Sequence, residues 1–510
     1  MSRNIRTIVG GLLTGLLVVL FVPPATGAEW QNPKVQPPKA KPQRRSAAEG
    51  IPPLPLPATP LRRSERKRQP SPPALVGMIN FSDSRFEIVG GKRVRVNAFP
   101  TTQVDIERLM HVANGKLQIR YRFVPTSLGQ FSWDPAELPL LYVTGWTPMP
   151  KLSDELLGKL RRYLYDGGTL VLHAQCGRPD FVRTAQREMN RLFPDRQLVA
   201  IDTDSPLYHA YFNINTMRIR QNSDPIVEKL PFLEAIYLGC RPAVIFSPID
   251  LNCSWDIEKN PIEGGLLYHQ DDGIKLGINI ITTVLADFQY ARAWGTQKIY
   301  HQQDAKTRDQ LVIAQIVHAG DWDPTPHALP TLMKYTQQNT TLNVQFKRET
   351  LDLADADVFK HPVLYITGLR DFKLSDAQVA RLRSYLTSGG VLLADAAAGR
   401  RAFDVAFRRE LKRALPSSEL KTVDPKTAPL FQMPFKVTTV DYENLVKVQN
   451  PGLNLPVLEG VTIDGQLAVI YSSLSLSNGW EQLKFAYNRG YASDDALRIG
   501  VNIFAYALTH

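Results

Sequence analysis

Cysteine is nearly missing from this chain: Cys176, Cys240 and Cys253 are its only three in 510 residues. So few, and an odd number, exclude a disulfide framework. Between Cys240 and Cys253 lies "RPAVIFSPIDLN", whose centre reads as a buried strand. Seven extended residues span about 23 Å, whereas a disulfide needs Cα atoms within ~7 Å, so that pair is not expected to close. No G-x-x-x-x-G-K-[ST] loop occurs, and no G-x-G-x-x-G follows a strand, which removes the commonest phosphate and dinucleotide cradles. Charge is also scarce where a nucleic-acid binder would need it. Of the net +11, residues 29–74 hold ten Lys or Arg against three Glu, and Arg3 and Arg6 add two. That leaves about +2 for everything from residue 75 on, so no specific nucleic-acid binding is expected.

What is present at the start is an address. Two arginines precede an apolar run over residues 8–22, followed by Pro-Pro and small residues ending at Ala28. About 15 apolar residues fall short of the ~20 that a membrane helix needs. The three-part pattern predicts a secretory signal over residues 1–28, with an uncleaved N-terminal anchor as the alternative. No twin arginine and no lipid-accepting cysteine accompany it. The protein is therefore expected to be exported: periplasmic, envelope-associated or secreted. Residues 29–74 carry twelve prolines, in runs such as "IPPLPLPATP". Proline favours extended polyproline conformation and the charges resist burial, so this stretch reads as a disordered basic linker. Its alternative role is contact with anionic surfaces.

From residue 75 the chain says everything twice. "LPLLYVTGW" (138–146) returns as "HPVLYITGL" (361–369), and "SDELLGKLRRYLYDGG" as "SDAQVARLRSYLTSGG". "RPAVIFSPIDLNCSW" returns as "QLAVIYSSLSLSNGW", with Trp255 opposite Trp480. The offset stays between 222 and 225 residues, far above the period of a solenoid, so a whole domain is duplicated. The predicted domains are 75–296 and 307–510, divided by the polar "TQKIYHQQDAKT".

Within one copy, strand and helix signals alternate. "LLYVT" is a short apolar β-rich run, as expected of a strand covered on both faces. Ser153 offers an N-cap with Asp154 and Glu155 in the first turn. Leu156, Leu157, Leu160 and Leu164 mark one helical face, and Gly167 with Gly168 supplies the stop. "TLVLHA" is the next strand and "DFVRTAQREMNRLF" the next helix. Such alternation predicts parallel βαβ units and a three-layer α/β sandwich in each half. For "YFNINTMRIR" an antiparallel sheet is the alternative.

The residues that carry a family resemblance are Tyr142, Thr144, Gly145, Gly167, Gly168, Cys176, Gly177, Phe181 and Trp255. Their counterparts are Tyr365, Thr367, Gly368, Gly389, Gly390, Gly399, Phe403 and Trp480. In this order and spacing they resemble a secreted bacterial family known only as domain of unknown function 4159, in two tandem copies. The resemblance implies flavodoxin-like or class I glutamine-amidotransferase-like sandwiches with mostly parallel sheets. It brings no activity. The second copy departs from it at Ala398.

In open parallel sheets, ligands collect beyond the carboxyl ends of the strands. Cys176 stands there, in "GGTLVLHAQCG", where a nearby helix N-terminus can acidify a thiol. A nucleophilic cysteine needs a base and the base an orienting group. His209 in "DSPLYHAYF" and Asp250 in "SPIDLNCSW" are the candidates, giving Cys176, His209 and Asp250 as a catalytic set in the first domain alone. They face Ala398, Gln432 and Ser475 in the second copy, which is what a degenerate site would show. The competing reading makes Cys176 small core filler, His209 a hydrogen-bonded imidazole and Asp250 a turn cap. His173, facing Asp395, is either a base or a strand-end polar residue.

Other groups point more weakly to chemistry. Arg178 and Arg400 stand near helix starts, where an anion could sit. Asp202 with Asp204, and His269 with Asp271 and Asp272, carry metal donors but no known metal-loop spacing. Trp255 and Trp480 suit either a sugar face or a core. No cofactor and no metal are expected. The leading reading is an envelope binding or scaffold module whose strand-end clefts meet an envelope protein or glycan. A cysteine-dependent hydrolase or amidotransferase-like enzyme is the rival.

Overall fold

The structure, a computed structural model, describes residues 71–79, 85–96, 103–129, 131–221, 225–256, 265–296, 312–342, 344 and 348–509. The expected export segment, and the linker up to residue 70, lie outside the described residues, as does the break between the two copies. Residues from Pro70 onward form one compact unit.

The first copy supplies β1 (Ala74–Ile79), the hairpin β2 (Arg85–Val89) and β3 (Lys92–Val96), β4 (Arg122–Thr126), β5 (Leu140–Gly145) and β6 (Thr169–Ala174). It continues with β7 (Val199–Ala200), β8 (Met217–Gln221), β9 (Val227–Lys229), β10 (Glu234–Leu238), β11 (Arg241–Ser247) and β12 (Leu266–Tyr268). The second copy supplies β13 (Ala314–Ile316), β14 (Glu349–Leu351), β15 (Val363–Gly368), β16 (Val391–Ala396), β17 (Lys421–Thr422), β18 (Glu459–Ile463) and β19 (Gln466–Ser472).

Each copy folds around a seven-stranded sheet, in the orders β4-β1-β5-β6-β11-β10-β7 and β14-β13-β15-β16-β19-β18-β17. Replacing each strand of the first by its sequence counterpart reproduces the second, so the duplication holds at the level of topology. The first five strands in each order pair in parallel, and the last two add on antiparallel. Counted along the chain, those five parallel strands run 2-1-3-4-5, one of the common doubly wound orders. The antiparallel alternative for "YFNINTMRIR" applies to a separate element: β8 pairs antiparallel with β9 and β12 in a small sheet, of which the second copy keeps the isolated antiparallel bridge Tyr442–Tyr491.

The strands lie between two apolar layers because alternate side chains of an extended chain point opposite ways. Leu140, Tyr142, Val171 and Ile245 join one cluster with Ile106, Leu109, Leu276 and Ile280. Their neighbours Leu141, Val143, Leu170, Val244 and Phe246 join another with Leu157, Leu160, Phe181 and Met189. The second copy repeats this division, with Tyr365 and Leu393 on one face and Leu364, Ile366 and Leu392 on the other. The helix caps read from sequence form: Ser153 Oγ accepts from Leu156 N, and Ser375 makes a full capping box with Gln378. Among the described residues no helix is long and apolar enough to cross a membrane.

Candidate functional site at the strand ends

Beyond β6 the chain makes a single 3-10 turn, Gln175–Gly177, before the helix Pro179–Leu192. Cys176 and Gly177 both take positive φ, 51° and 64°. The second copy makes the same turn with Ala398 and Gly399, at 52° and 63°. A glycine is required at the later position of the second turn. A Cβ on Gly399 would lie 2.5 Å from the carbonyl oxygen of Arg489. That backbone is pinned, since its N–H donates to Ala398 O and its carbonyl accepts from Ser475 N. Gly399→Ala is therefore expected to cost about 2–3 kcal/mol through strain and overlap together, measurable by denaturant unfolding.

Asp250 stands at the foot of the first turn, just past β11. Its Oδ2 accepts the N–H of Cys176 and its Oδ1 accepts that of Cys253 at 3.0 Å. This turn-capping role gathers three side chains: one ligand-type atom from each of Cys176, Asp250 and Cys253 lies within 4.8 Å of the others. His173, the last but one residue of β6, faces the group from behind. Its Nδ1 is 3.8 Å from Asp250 Oδ1 and 3.4 Å from Leu251 N, and its Nε2 is 2.7 Å from the Tyr142 hydroxyl. The whole assembly is walled off. His173 and Asp250 are fully buried, Cys176 is 2% exposed and Cys253 8%. The hydrogen bond with Cys176, then burial, then the Asp250 charge push the Cys253 thiol far up. None of the three cysteines is in a disulfide.

His209 takes no part in this group. It is exposed on the short helix Pro206–His209, with Nδ1 2.5 Å from Asn213 Oδ1 and Nε2 2.9 Å from the Thr203 carbonyl. Gln432, its counterpart, holds the carbonyls of Pro425 and Lys426 in the same way. The exchange of His209 for Gln432 thus preserves a loop fastening, and the proposed Cys176–His209–Asp250 set does not assemble. The structure joins Cys176 and Asp250 to Cys253 and His173 instead. Cys253 had a sequence signal, Asp-x-x-Cys against Ser-x-x-Asn in the other copy.

The second copy shows what the turn alone needs. There Asn478 Oδ1 accepts the N–H of Ala398 at 2.8 Å and the Ser475 hydroxyl at 3.0 Å. Asp395, in the place of His173, accepts from Leu476 N at 2.6 Å and Ser477 N at 3.2 Å. A neutral amide therefore satisfies the same backbone, with no thiol on the turn. The strand ends of this copy are closed as well. Ala397 and Ala398 pack with Cys240, Tyr290 and Phe485, so the first copy fills the strand ends of the second. Asn478 Nδ2 reaches Cys240 Sγ at 3.4 Å, and burial raises that thiol to about 12.

The remaining candidates find ordinary partners. Arg178 lies over the Trp146 ring, 3.8 Å from its centroid. Asp272 holds Arg218 through Nε at 2.9 Å and the backbone N–H at 2.8 Å. Asp202 and Asp204 line a narrow recess with Arg370 and Arg400 of the second copy. Trp255 and Trp480 are core residues whose indole N–H groups donate to Gly273 O and Ala496 O, leaving no face for a sugar.

No curated protein matches the chain. Among solved structures, an exo-beta-1,4-mannosidase, Op5Man5 from Opitutaceae bacterium strain TAV5, is similar at 13% identity and a TM-score of 0.18. The likeness covers 44% of this chain and 35% of that one, and carries no argument about fold or activity. The matching family has no assigned activity and adds no support for a flavodoxin or amidotransferase relationship. Its two matches, over residues 100–285 and 312–508, take in most of the sequence, and the chain belongs to the family described as domain of unknown function 4159, in two tandem copies.

Proposed function

We propose that the protein is a non-catalytic binding module of the cell envelope, and that its first copy receives an extended apolar segment of an exported polypeptide. The observation that carries this reading is a contrast within the first copy. The thiols, Asp250 and His173 are sealed from solvent, whereas a groove of about 680 Å³ opens beside β9. Ile219, Leu230, Phe232, Ile249 and Leu266 line it. Leu230 is 63% exposed, and Ile226 and Val227 are each half exposed. Apolar surface left in water at one place marks an interaction site. β9 is the outer strand of the β12-β8-β9 sheet, so its outward backbone groups can pair with an incoming strand. Among the described residues one aromatic ring, Phe232, lines the groove, which favours a peptide over a glycan. Export itself is supported by the signal-like residues 1–28.

The rival cysteine enzyme would need an accessible thiolate, and burial with neighbouring acids opposes one. A photo-crosslinking residue at Leu230 is expected to yield one discrete adduct in intact cells. That adduct should vanish with Val227→Pro, which blocks strand pairing. The same probe at exposed Val448 should give none. No adduct at Leu230, or the same adduct from Val448, would refute the groove. In parallel, Cys176 is expected to resist alkylation in the native protein; rapid pH-dependent labelling would restore the enzyme reading.

A further inference from the structure

We propose that Cys176, Asp250 and Cys253 form a buried site for one thiophilic divalent metal ion, zinc(II) by chemistry. The inference goes beyond the groove and is independent of what the groove binds. Ligands at ~2.3 Å for sulfur and ~2.1 Å for oxygen place tetrahedral donor atoms roughly 3.4–3.8 Å apart. The three donor atoms already lie within 4.8 Å of one another. Two sulfurs and a carboxylate oxygen select zinc or a similarly soft ion over calcium or magnesium.

Charge points the same way. The acidic side chains of Cys176, Asp250 and Cys253 gather at one place, and all three are buried. A divalent cation would let both thiols ionise and would offset the three negative charges. The carboxylate is oriented in advance by the N–H groups of Cys176 and Cys253, the kind of outer support that fixes metal ligands. His173 Nδ1 stands behind the carboxylate, 3.8 Å from Asp250 Oδ1, and accepts from Leu251 N at 3.4 Å.

The second copy serves as an internal control. The second copy makes the same turn with Ala398, Ser475 and Asn478, so folding of the turn requires neither thiols nor a charge at these places. The first copy carries soft, ionisable donors beyond that structural need. Its site also touches the groove: Asp250 bridges to Leu267, and Ile249 and Leu266 line the groove wall. A bound ion would brace that wall.

The test uses the full chain, reduced and stripped of metal with a chelator, then titrated with cobalt(II). A thiolate-to-cobalt charge-transfer band is expected to saturate at one ion per chain and to be displaced by zinc. Equimolar zinc should raise the melting temperature by about 5 °C or more. Cys176→Ala with Cys253→Asn installs the residues of the second copy and should abolish both effects while the chain stays folded by circular dichroism. Asp250→Asn should weaken cobalt affinity at least tenfold, and Cys240→Ala, outside the cluster, should leave it unchanged. Absence of the band in the reduced protein, or its persistence in the double variant, would overturn the proposal.

Discussion

Arg241→Ala is expected to lower the stability of the first copy by about 3–5 kcal/mol, the sum for removing two charge-assisted hydrogen bonds to buried carbonyls. Arg241 opens β11 and is 1% exposed. Its guanidinium donates to the carbonyls of Gly168, at 3.0 Å, and Leu164. These carbonyls close the helix Asp154–Tyr165 and the turn after it, where the helix dipole favours a positive charge. Burial lowers the Arg241 pKa to about 10, and Asp287 is foremost among the groups that oppose that fall. Truncation would strip the Gly168 and Leu164 carbonyls of their charged donor and remove the charge facing Asp287. The second copy has Gln466 at this place, exposed, beside a small cavity of about 80 Å³ lined by Leu386, Gly390 and Tyr506. The architecture therefore survives without the arginine once nothing else is built around it. Arg241→Met with Asp287→Leu should accordingly recover more than half of the loss. Guanidinium unfolding of the two variants decides the matter: a loss below 1 kcal/mol for Arg241→Ala would show that the network is not stabilising.

That contrast bears on what the sequence could disclose. Strands such as β5 and β6 were legible because burial on both faces leaves a continuous apolar run, and the helices after them because their caps and glycine stops are local chemistry. The duplication was legible because equivalent strands need equivalent side chains. The strand-end position of Cys176 and Asp250 followed from the parallel order. Two things were not legible. Proximity between elements far apart in sequence depends on loop paths, so the sequence did not show on which side of the sheet His209 would stand. The packing of one copy on the other was also hidden, because Cys240, Tyr290 and Phe485 look like ordinary core residues when each copy is read alone. For that reason the second crevice was expected to be open, and it is filled.

The largest effect of solution conditions should come from pH, with stability falling as pH rises from 6.5 to 8. Burial raises the carboxyls of Glu481 to about 8, Asp287 to about 7, and Asp395 and Asp321 to about 6. Unfolded carboxyls titrate near 4. Between those limits the native chain keeps protons that the unfolded chain has lost, so each group contributes stability present below about pH 4 and lost as pH rises through its folded value. His318 works the other way: burial lowers it to about 4, so its contribution grows from pH 4 to its unfolded value near 6.5. The opposing trends overlap below 6.5. Above it Glu481 and Asp287 carry most of the change among the described residues, and at about 1.4 kcal/mol per proton per pH unit they should remove about 2–3 kcal/mol by pH 8. Glu481 sits in the helix Ser477–Glu481 and its Oε1 accepts from His327 N at 3.4 Å. Glu481→Gln keeps that acceptor and cannot ionise, so it should flatten most of the slope while leaving stability at pH 6.5 nearly unchanged. Denaturant midpoints at 6.5, 7.25 and 8 measure this directly. A wild-type midpoint that is level or rising across that interval would mean that these carboxylates are charged in the native protein and matched by cations.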